Sequence, residues 1–277
     1  MEIEGTSVIV TGSSGGVGRG VARALARHGA QVACAARRVD ELTKTVQQIK
    51  TEGGSALAIP TDIRDKHRAT NMVSRTIEAF GKVDVLVNNA AIYHAIGALW
   101  EVSEDLWWGD VFTNLYGSFL CCRAVLPHMI KKEQGIIINM TGGGAGAPML
   151  GGSAYGTSKA GLMRMTDSLA FELQREGFDG IQVYGLSPGF VRSGISKGVA
   201  RSPLGKKWLP YVKEWIDTGH HHPAEDVGDA VIKLCRISHP YLSGRIFSYK
   251  DDFGEIDRRA EEIKERDLLQ IRPRALE

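Results

Sequence analysis

The chain has 277 residues, with 34 basic against 32 acidic side chains, 43% apolar residues and 24% charged ones. That length suits one large domain or two small ones, and a net charge of +2 leaves no footprint for nucleic acid or an anionic membrane surface. No apolar run reaches the roughly 18 residues of a membrane span, and the opening "MEIEGTSVIVTG" lacks the basic segment of a signal peptide. A cytoplasmic protein with no membrane partner is expected. The four cysteines, Cys34, Cys121, Cys122 and Cys235, show no paired or metal-like spacing and read as reduced core thiols.

Strands and helices alternate along the chain. "SVIVTG" reads as a first strand, and "VGRGVARALARHGA" as a helix with Val17, Val21 and Leu25 on one face and a glycine stop at Gly29. "QVACAA", "SALAIPTD" and "KVDVLVNNAA" follow as strands two to four, separated by the helices "VDELTKTVQQIKTEG" and "RATNMVSRTIEAFG". A long helical zone covers about Glu104 to Ile130, and "GIIINMT" is a fifth strand. A helix runs from Ala154 to about Glu176, and "IQVYGLSPG" is a sixth strand. After an irregular stretch, "PAEDVGDAVIKLCRI" reads as a helix and "SGRIFSY" as a seventh strand. Strands split by helices of this length imply right-handed crossovers. The predicted fold is therefore α/β, Rossmann-like and doubly wound, with a seven-stranded parallel sheet covered by helices on both faces.

No repeat or linker marks a second domain, so residues 1–253 form one expected dinucleotide-binding and catalytic domain. Within it, Gly194 to His222 is rich in Gly, Lys, Trp and His and reads as a mobile flap over the substrate. Residues 254–277 form a highly charged tail, expected as a surface helix that packs on a partner subunit.

Between the first strand and first helix, "TGSSGGVG" (Thr11–Gly18) places Gly12, Gly16 and Gly18 in a G-x-x-x-G-x-G spacing. Glycines there let the backbone turn tightly against a pyrophosphate, and the helix N-terminus offers free N–H groups to the anion. Ser14 and Val17 belong to the same candidate loop. A glycine turn that merely joins elements is the plainer alternative, but its place in a βαβ unit favours a dinucleotide. The second strand ends in Ala36, Arg37 and Arg38, where an NAD site usually holds an acidic side chain. A guanidinium can fork a 2′-phosphate and stack on adenine. NADP(H) is thus expected over NAD(H), with Arg37 the leading contact, against the plainer reading of two solvated arginines. Asp62 ends the third strand beside Ile63, placed either to accept from the adenine amino group or to cap a helix.

"YGTSK" sets Tyr155 and Lys159 at i and i+4, on one helical face. Free tyrosine has a pKa of about 10, and a neighbouring ammonium lowers it toward useful acid–base work.

With these residues in place, the chain resembles a short-chain dehydrogenase/reductase. The resemblance rests on "TGSSGGVG", "NNAA" (Asn88–Ala91), "NLYGS" around Asn114, "YGTSK" and "SPGFV" (Ser187–Val191), in family order over roughly residues 5 to 250. It implies reversible hydride transfer between a nicotinamide and an alcohol or carbonyl carbon. By the same resemblance, Tyr155 is the general acid/base, Lys159 lowers its pKa and holds the nicotinamide ribose, and Asn114 supports a proton-relaying water. Asn89 and Ala90 would pack along the cofactor, with Ala91 where the family often has glycine. Pro188, Gly189 and Val191 would border the nicotinamide, and Ser193 would replace a carboxamide-binding threonine. A homodimer or homotetramer is expected, through the two long helices flanking the fifth strand.

One position departs. The family usually has a substrate-holding serine about thirteen residues before the tyrosine, and here that residue is Gly142. Three readings compete. Thr141 turns its hydroxyl inward; Ser153 reaches in, its plainer role being a helix cap; or the substrate brings its own polar group. The departure keeps two rivals open, a catalytically weak dinucleotide-binding regulator and a lyase or epimerase on the same fold. Tyr93, His94, Trp100 and Trp208 are weaker substrate-site candidates, with core packing the alternative. "HHH" at His220–His222 has adjacent residues that cannot all face one ion, so no metal is expected.

Overall fold

A computed structural model describes residues 1–237 and 239–271. Seven strands carry the fold: β1 (Ser7–Thr11), β2 (Gln31–Ala36), β3 (Ser55–Pro60), β4 (Val85–Asn88), β5 (Gly135–Met140), β6 (Ile181–Ser187) and β7 (Ile246–Ser248). They form one parallel sheet in the order β3-β2-β1-β4-β5-β6-β7. The order reverses after β1, which opens a crevice at the strand carboxyl ends, where ligands bind in doubly wound sheets.

Helices α1 (Gly16–Arg27), α2 (Val39–Thr51) and α3 (Lys66–Phe80) follow the first three strands. The long helical zone expected between β4 and β5 runs without a gap as α4 (Glu104–Val111), one π-helical turn over Phe112–Tyr116, and α5 (Gly117–Lys132). Next come α6 (Ser153–Arg175), then α7 (Gly194–Arg201), α8 (Pro203–Trp208) and α9 (Pro210–Asp217), then α10 (Ala224–Arg236). The stretch after the sixth strand, read as irregular, is thus helical. Ser193 and Ser202 cap α7 and α8 through their hydroxyls, and prolines open α8 and α9.

Side-chain alternation in the strands feeds two cores. Val8, Val10, Val85, Val87, Ile136 and Ile138 face α1, α2 and α10. Ile9, Leu86 and Ile137 face α3, α5 and α6. All four cysteines are buried and free, and burial pushes Cys34, Cys122 and Cys235 up to about 12, so they act as apolar packing. The expected single tail helix is two short ones, α11 (Phe253–Arg258) and α12 (Ala260–Glu265). Their Phe253, Ala260 and Ile263 pack into this chain's own first core. Residues 272–277 of that tail lie outside the described residues.

Candidate active site

The ends of β1 and β4 are tied together by one side chain. Thr11 Oγ1 accepts from the N–H groups of Asn89 (3.0 Å) and Ala90 (3.1 Å), and Asn89 Nδ2 donates back to the Thr11 carbonyl at 2.8 Å. That closeness explains the glycines. A Cβ on Gly12, whose φ is +70°, would lie 2.8 Å from Ala90 Cα, and one on Gly18 would lie 2.4 Å from Asn89 Nδ2. Helix α1 begins without a side-chain cap and without an acidic residue in its first turn. Its free N–H groups and positive dipole end therefore face the cleft. Arg19 braces the loop by donating to the Ser14 carbonyl at 2.8 Å and to Thr45 Oγ1 at 3.0 Å.

The cleft beside this cradle measures about 440 Å³. Gly12, Ser14, Gly16, Val17 and Gly18 line one end of it, and Arg37, Arg38, Asp62 and Ile63 the adjoining wall. Asn89, Ala90 and Ser193 complete the set. A glycine cradle that any Cβ would fill, facing an uncapped helix start, fits the diphosphate of a dinucleotide. Pro188, Gly189 and Val191 are packed from behind. His222 Nε2 shares a hydrogen bond with the Pro188 carbonyl at 2.8 Å, Val191 bridges to His222, and a Cβ on Gly189 would strike the Tyr249 ring at 2.3 Å. The His222 ring in turn stacks on Tyr249 at 3.7 Å. The third histidine of "HHH" is therefore a brace for this loop. Among the described residues no cluster of three His, Cys, Asp or Glu side chains could hold a metal.

At the end of β2, Arg37 and Arg38 are exposed, and Arg38 Nη2 donates to Ser14 Oγ at 3.1 Å. Asp62 grips Arg64 with both oxygens, at 3.0 Å to Nε and 2.6 Å to Nη2, and this hydrogen bonding holds its carboxyl below the usual range. The following helix is capped by Asp65, which accepts from the N–H groups of His67 and Arg68. Asp62 is thus not the helix cap, because the turn places Asp65 at the N-terminus of α3.

Helix α6 carries Tyr155 and Lys159 one turn apart, with Lys159 Nζ 5.7 Å from the Tyr155 ring centre. Lys159 is buried and donates to the Met140 carbonyl at 2.7 Å; burial pushes its pKa down to about 8. Burial, and secondly the Asp110 carboxylate, push Tyr155 up to about 12. Asn114 lies in the π turn, fully buried. Its amide accepts from the Ile92 N–H (2.8 Å), donates to the Ile92 carbonyl (2.9 Å) and donates to Ser158 Oγ (3.1 Å). Ser158 Oγ donates to the Tyr155 carbonyl at 2.7 Å, so Asn114 links the loop after β4 to the helical turn that carries the tyrosine.

Thr141, Ser153 and a polar group of the substrate itself are the three candidates for the missing hydroxyl. A Cβ on Gly142 would lie 3.1 Å from the Tyr155 phenolic oxygen, so residue 142 does face the tyrosine. Ser153 turns the other way: its hydroxyl accepts from the Trp107 indole N–H at 3.2 Å, and Gly152, one residue earlier, is the cap position of α6. Thr141 is buried, with its methyl over Gly185. Helices α7 to α9 close over this end. Val199, Leu209 and Val212 join Tyr93, Ile96, Met149, Trp208 and Tyr155 in a separate apolar cluster. Trp208 packs directly on Gly151, where a Cβ would lie 2.7 Å from the Trp208 Cβ. Trp100, by contrast, is 83% exposed on the loop before α4.

Sequence reasoning missed Asp110 and Ser158. Asp110 is fully buried on α4 and accepts from the N–H groups of His94 (3.0 Å) and Ala95 (3.0 Å). An acidic residue amid "WWGDVF" signals a buried partner only once the loop it anchors is known.

The cradle, the cleft at the sheet's switch point and the Tyr–Lys pair beside it define a nicotinamide-dependent oxidoreductase of CH–OH groups. The family described as short chain dehydrogenase matches residues 6–203, and the chain belongs to this short-chain dehydrogenase/reductase family. A short chain dehydrogenase of Pseudocercospora fijiensis is 40% identical over 194 residues, 69% of this chain but only 62% of that relative's own length. The (2S)-[(R)-hydroxy(phenyl)methyl]succinyl-CoA dehydrogenase subunit of Thauera aromatica is 32% identical over 89% of this chain and 95% of its own. Among solved structures, a short-chain type dehydrogenase/reductase from Mycobacterium marinum superposes with a TM-score of 0.78 at 28% identity, over 89% of this chain and 94% of that one. Among the described residues no helix is long and apolar enough to cross a membrane.

Proposed function

We propose that the chain interconverts an alcohol and a carbonyl compound with NADP(H) as the preferred cofactor and Tyr155 as the general acid/base. The observation that carries this reading is the Tyr155–Lys159 pair, one turn apart on α6 with the lysine buried and the tyrosine half-buried. When bound, the nicotinamide supplies or takes up hydride at the reacting carbon. Gly12 and Gly16–Gly18 would hold the diphosphate, and Arg37 and Arg38 would take the 2′-phosphate. Tyr155, raised to about 12, keeps its proton at neutral pH and donates it to the carbonyl oxygen in the reducing direction. Lys159, cationic below about 8, stabilises the phenolate left behind. Asn114 fixes the loop after β4 against the turn carrying Tyr155.

The apolar walls from Ile96, Met149 and Trp208 suit a mid-sized or ring-bearing substrate. The Thauera relative, named for a carbinol beside a phenyl group, is consistent with that class. The location is cytoplasmic. Assembly is a homodimer or homotetramer, supported by an aromatic stripe on the π turn and α5. Tyr116 and Phe119 are each 39% exposed, and Tyr116 stacks on Phe112 at 4.7 Å. Light scattering of Phe119→Asp should show a smaller species than the parent; an unchanged mass would remove the stripe from the interface.

The test is turnover by Tyr155→Phe against a panel of ketones and aldehydes with NADPH. Turnover should fall by at least about a thousandfold while NADPH binding, read by fluorescence, stays within about threefold. Retained turnover would sink the acid–base assignment.

A further inference from the structure

We propose that Tyr93 is a positioning residue for Tyr155, taking the orienting role that a hydroxyl on residue 142 would otherwise play. The inference rests on the acid–base reading of Tyr155. The two rings stack face to face, with centres 4.6 Å apart and planes 23° from parallel, within the range of favourable aromatic pairs. Tyr93 is itself 8% exposed.

The backbone on both sides of Tyr93 is clamped. On one side Asn114 takes both polar groups of Ile92, at 2.8 and 2.9 Å. On the other, the Asp110 carboxylate accepts from the N–H groups of His94 and Ala95. Asp110 and Asn114 are four residues apart, where α4 passes into the π turn. They project to one side and hold the loop at two points. A fully buried carboxylate with no ion pair among the described residues is costly to keep. Here it satisfies the N–H groups of two successive residues, and the second, Ala95, is itself buried. The outcome of that expenditure is one ring laid against the tyrosine's face, with the Tyr93 hydroxyl donating a long bond of 3.4 Å to the Gly151 carbonyl.

Tyr155 needs such support. A proton donor loses rate steeply when displaced by about 1 Å, and Gly142 offers its phenolic oxygen no side-chain partner. Stacking restrains the ring's tilt, which a hydrogen bond at its tip would otherwise restrain.

The experiment uses the full-length enzyme with NADPH and two probe carbonyls, 4-nitrobenzaldehyde and ethyl acetoacetate. Tyr93→Phe should keep kcat within about threefold, because the ring remains. Tyr93→Leu should lower kcat by about ten- to a hundredfold with NADPH affinity unchanged. Adding Gly142→Ser to Tyr93→Leu should recover at least about fivefold, because the serine restores a partner at the tip; a purely structural loss would not respond. Tyr93→Met takes the place of Leu if the Leu variant melts early. Parental kcat in Tyr93→Leu, an equal loss in Tyr93→Phe, or a loss that Gly142→Ser leaves in place overturns the inference. Tyr155→Phe run alongside separates the two readings. If it keeps turnover the acid–base assignment falls, whereas a parent-like Tyr93→Leu beside a dead Tyr155→Phe removes only the role of Tyr93.

Discussion

Gly142 faces Tyr155 so closely that a Cβ on the glycine would lie 3.1 Å from the phenolic oxygen. Its φ is not in the left-handed region, so the backbone would accept a side chain. The glycine's contribution is therefore room beside the reacting oxygen. Gly142→Ala should leave the melting temperature within about two degrees, since the surface there is half-open and small surface changes move stability little. Turnover of bulky aryl ketones should drop more than that of small aliphatic ones, by about tenfold in the ratio of kcat/KM. Equal losses on both would mean that the space is not used by the substrate.

Arg37 and Arg38 end β2 on the cleft wall, with Arg38 steered by Ser14 and no acidic side chain at positions 36 to 38. Charge-assisted pairing to a 2′-phosphate contributes about 1.5–3 kcal/mol. Arg37→Ala should weaken NADPH about tenfold or more and leave NADH nearly unchanged, as measured by fluorescence titration. Equal affinity of the parent for both cofactors would remove the basis for NADP(H) preference.

Lys159 is buried with its pKa lowered from 10.5 to about 8. Below about pH 8 both folded and unfolded chains hold the proton, and the folded state bears the cost of burying a cation. Between about 8 and 10.5 the folded chain releases the proton first, so this group's contribution to stability rises with pH. Lys159→Met should thus be more stable than the parent near pH 7, by up to about 3 kcal/mol. The gap should shrink toward pH 10. Urea unfolding of both proteins at pH 7 and pH 10 checks this, and taking the difference removes the opposing titration of the buried thiols. A gap that is constant with pH would mean that Lys159 is not desolvated.

Much of the architecture was legible in the sequence because it is encoded locally. Alternating apolar runs and periodic helices define a parallel sheet wherever they occur, and a glycine turn after the first strand can approach a phosphate whatever surrounds it. The i, i+4 spacing alone placed Tyr155 and Lys159 on one face. How those groups are surrounded depends on packing between distant segments. Ser153 and Gly142 both lie in the run between β5 and Tyr155, yet packing turns the serine to Trp107 and leaves the glycine against the phenol. The direction of the Tyr155 pKa follows from burial and from Asp110, which is 45 residues away in the chain. The segment after β6 became three helices because capping serines and its apolar face found Tyr93 and Met149 to cover. Local spacing determines which side chains share an element; desolvation and hydrogen-bond partners depend on elements distant in sequence, so the chemistry of the site is settled only when the chain is packed.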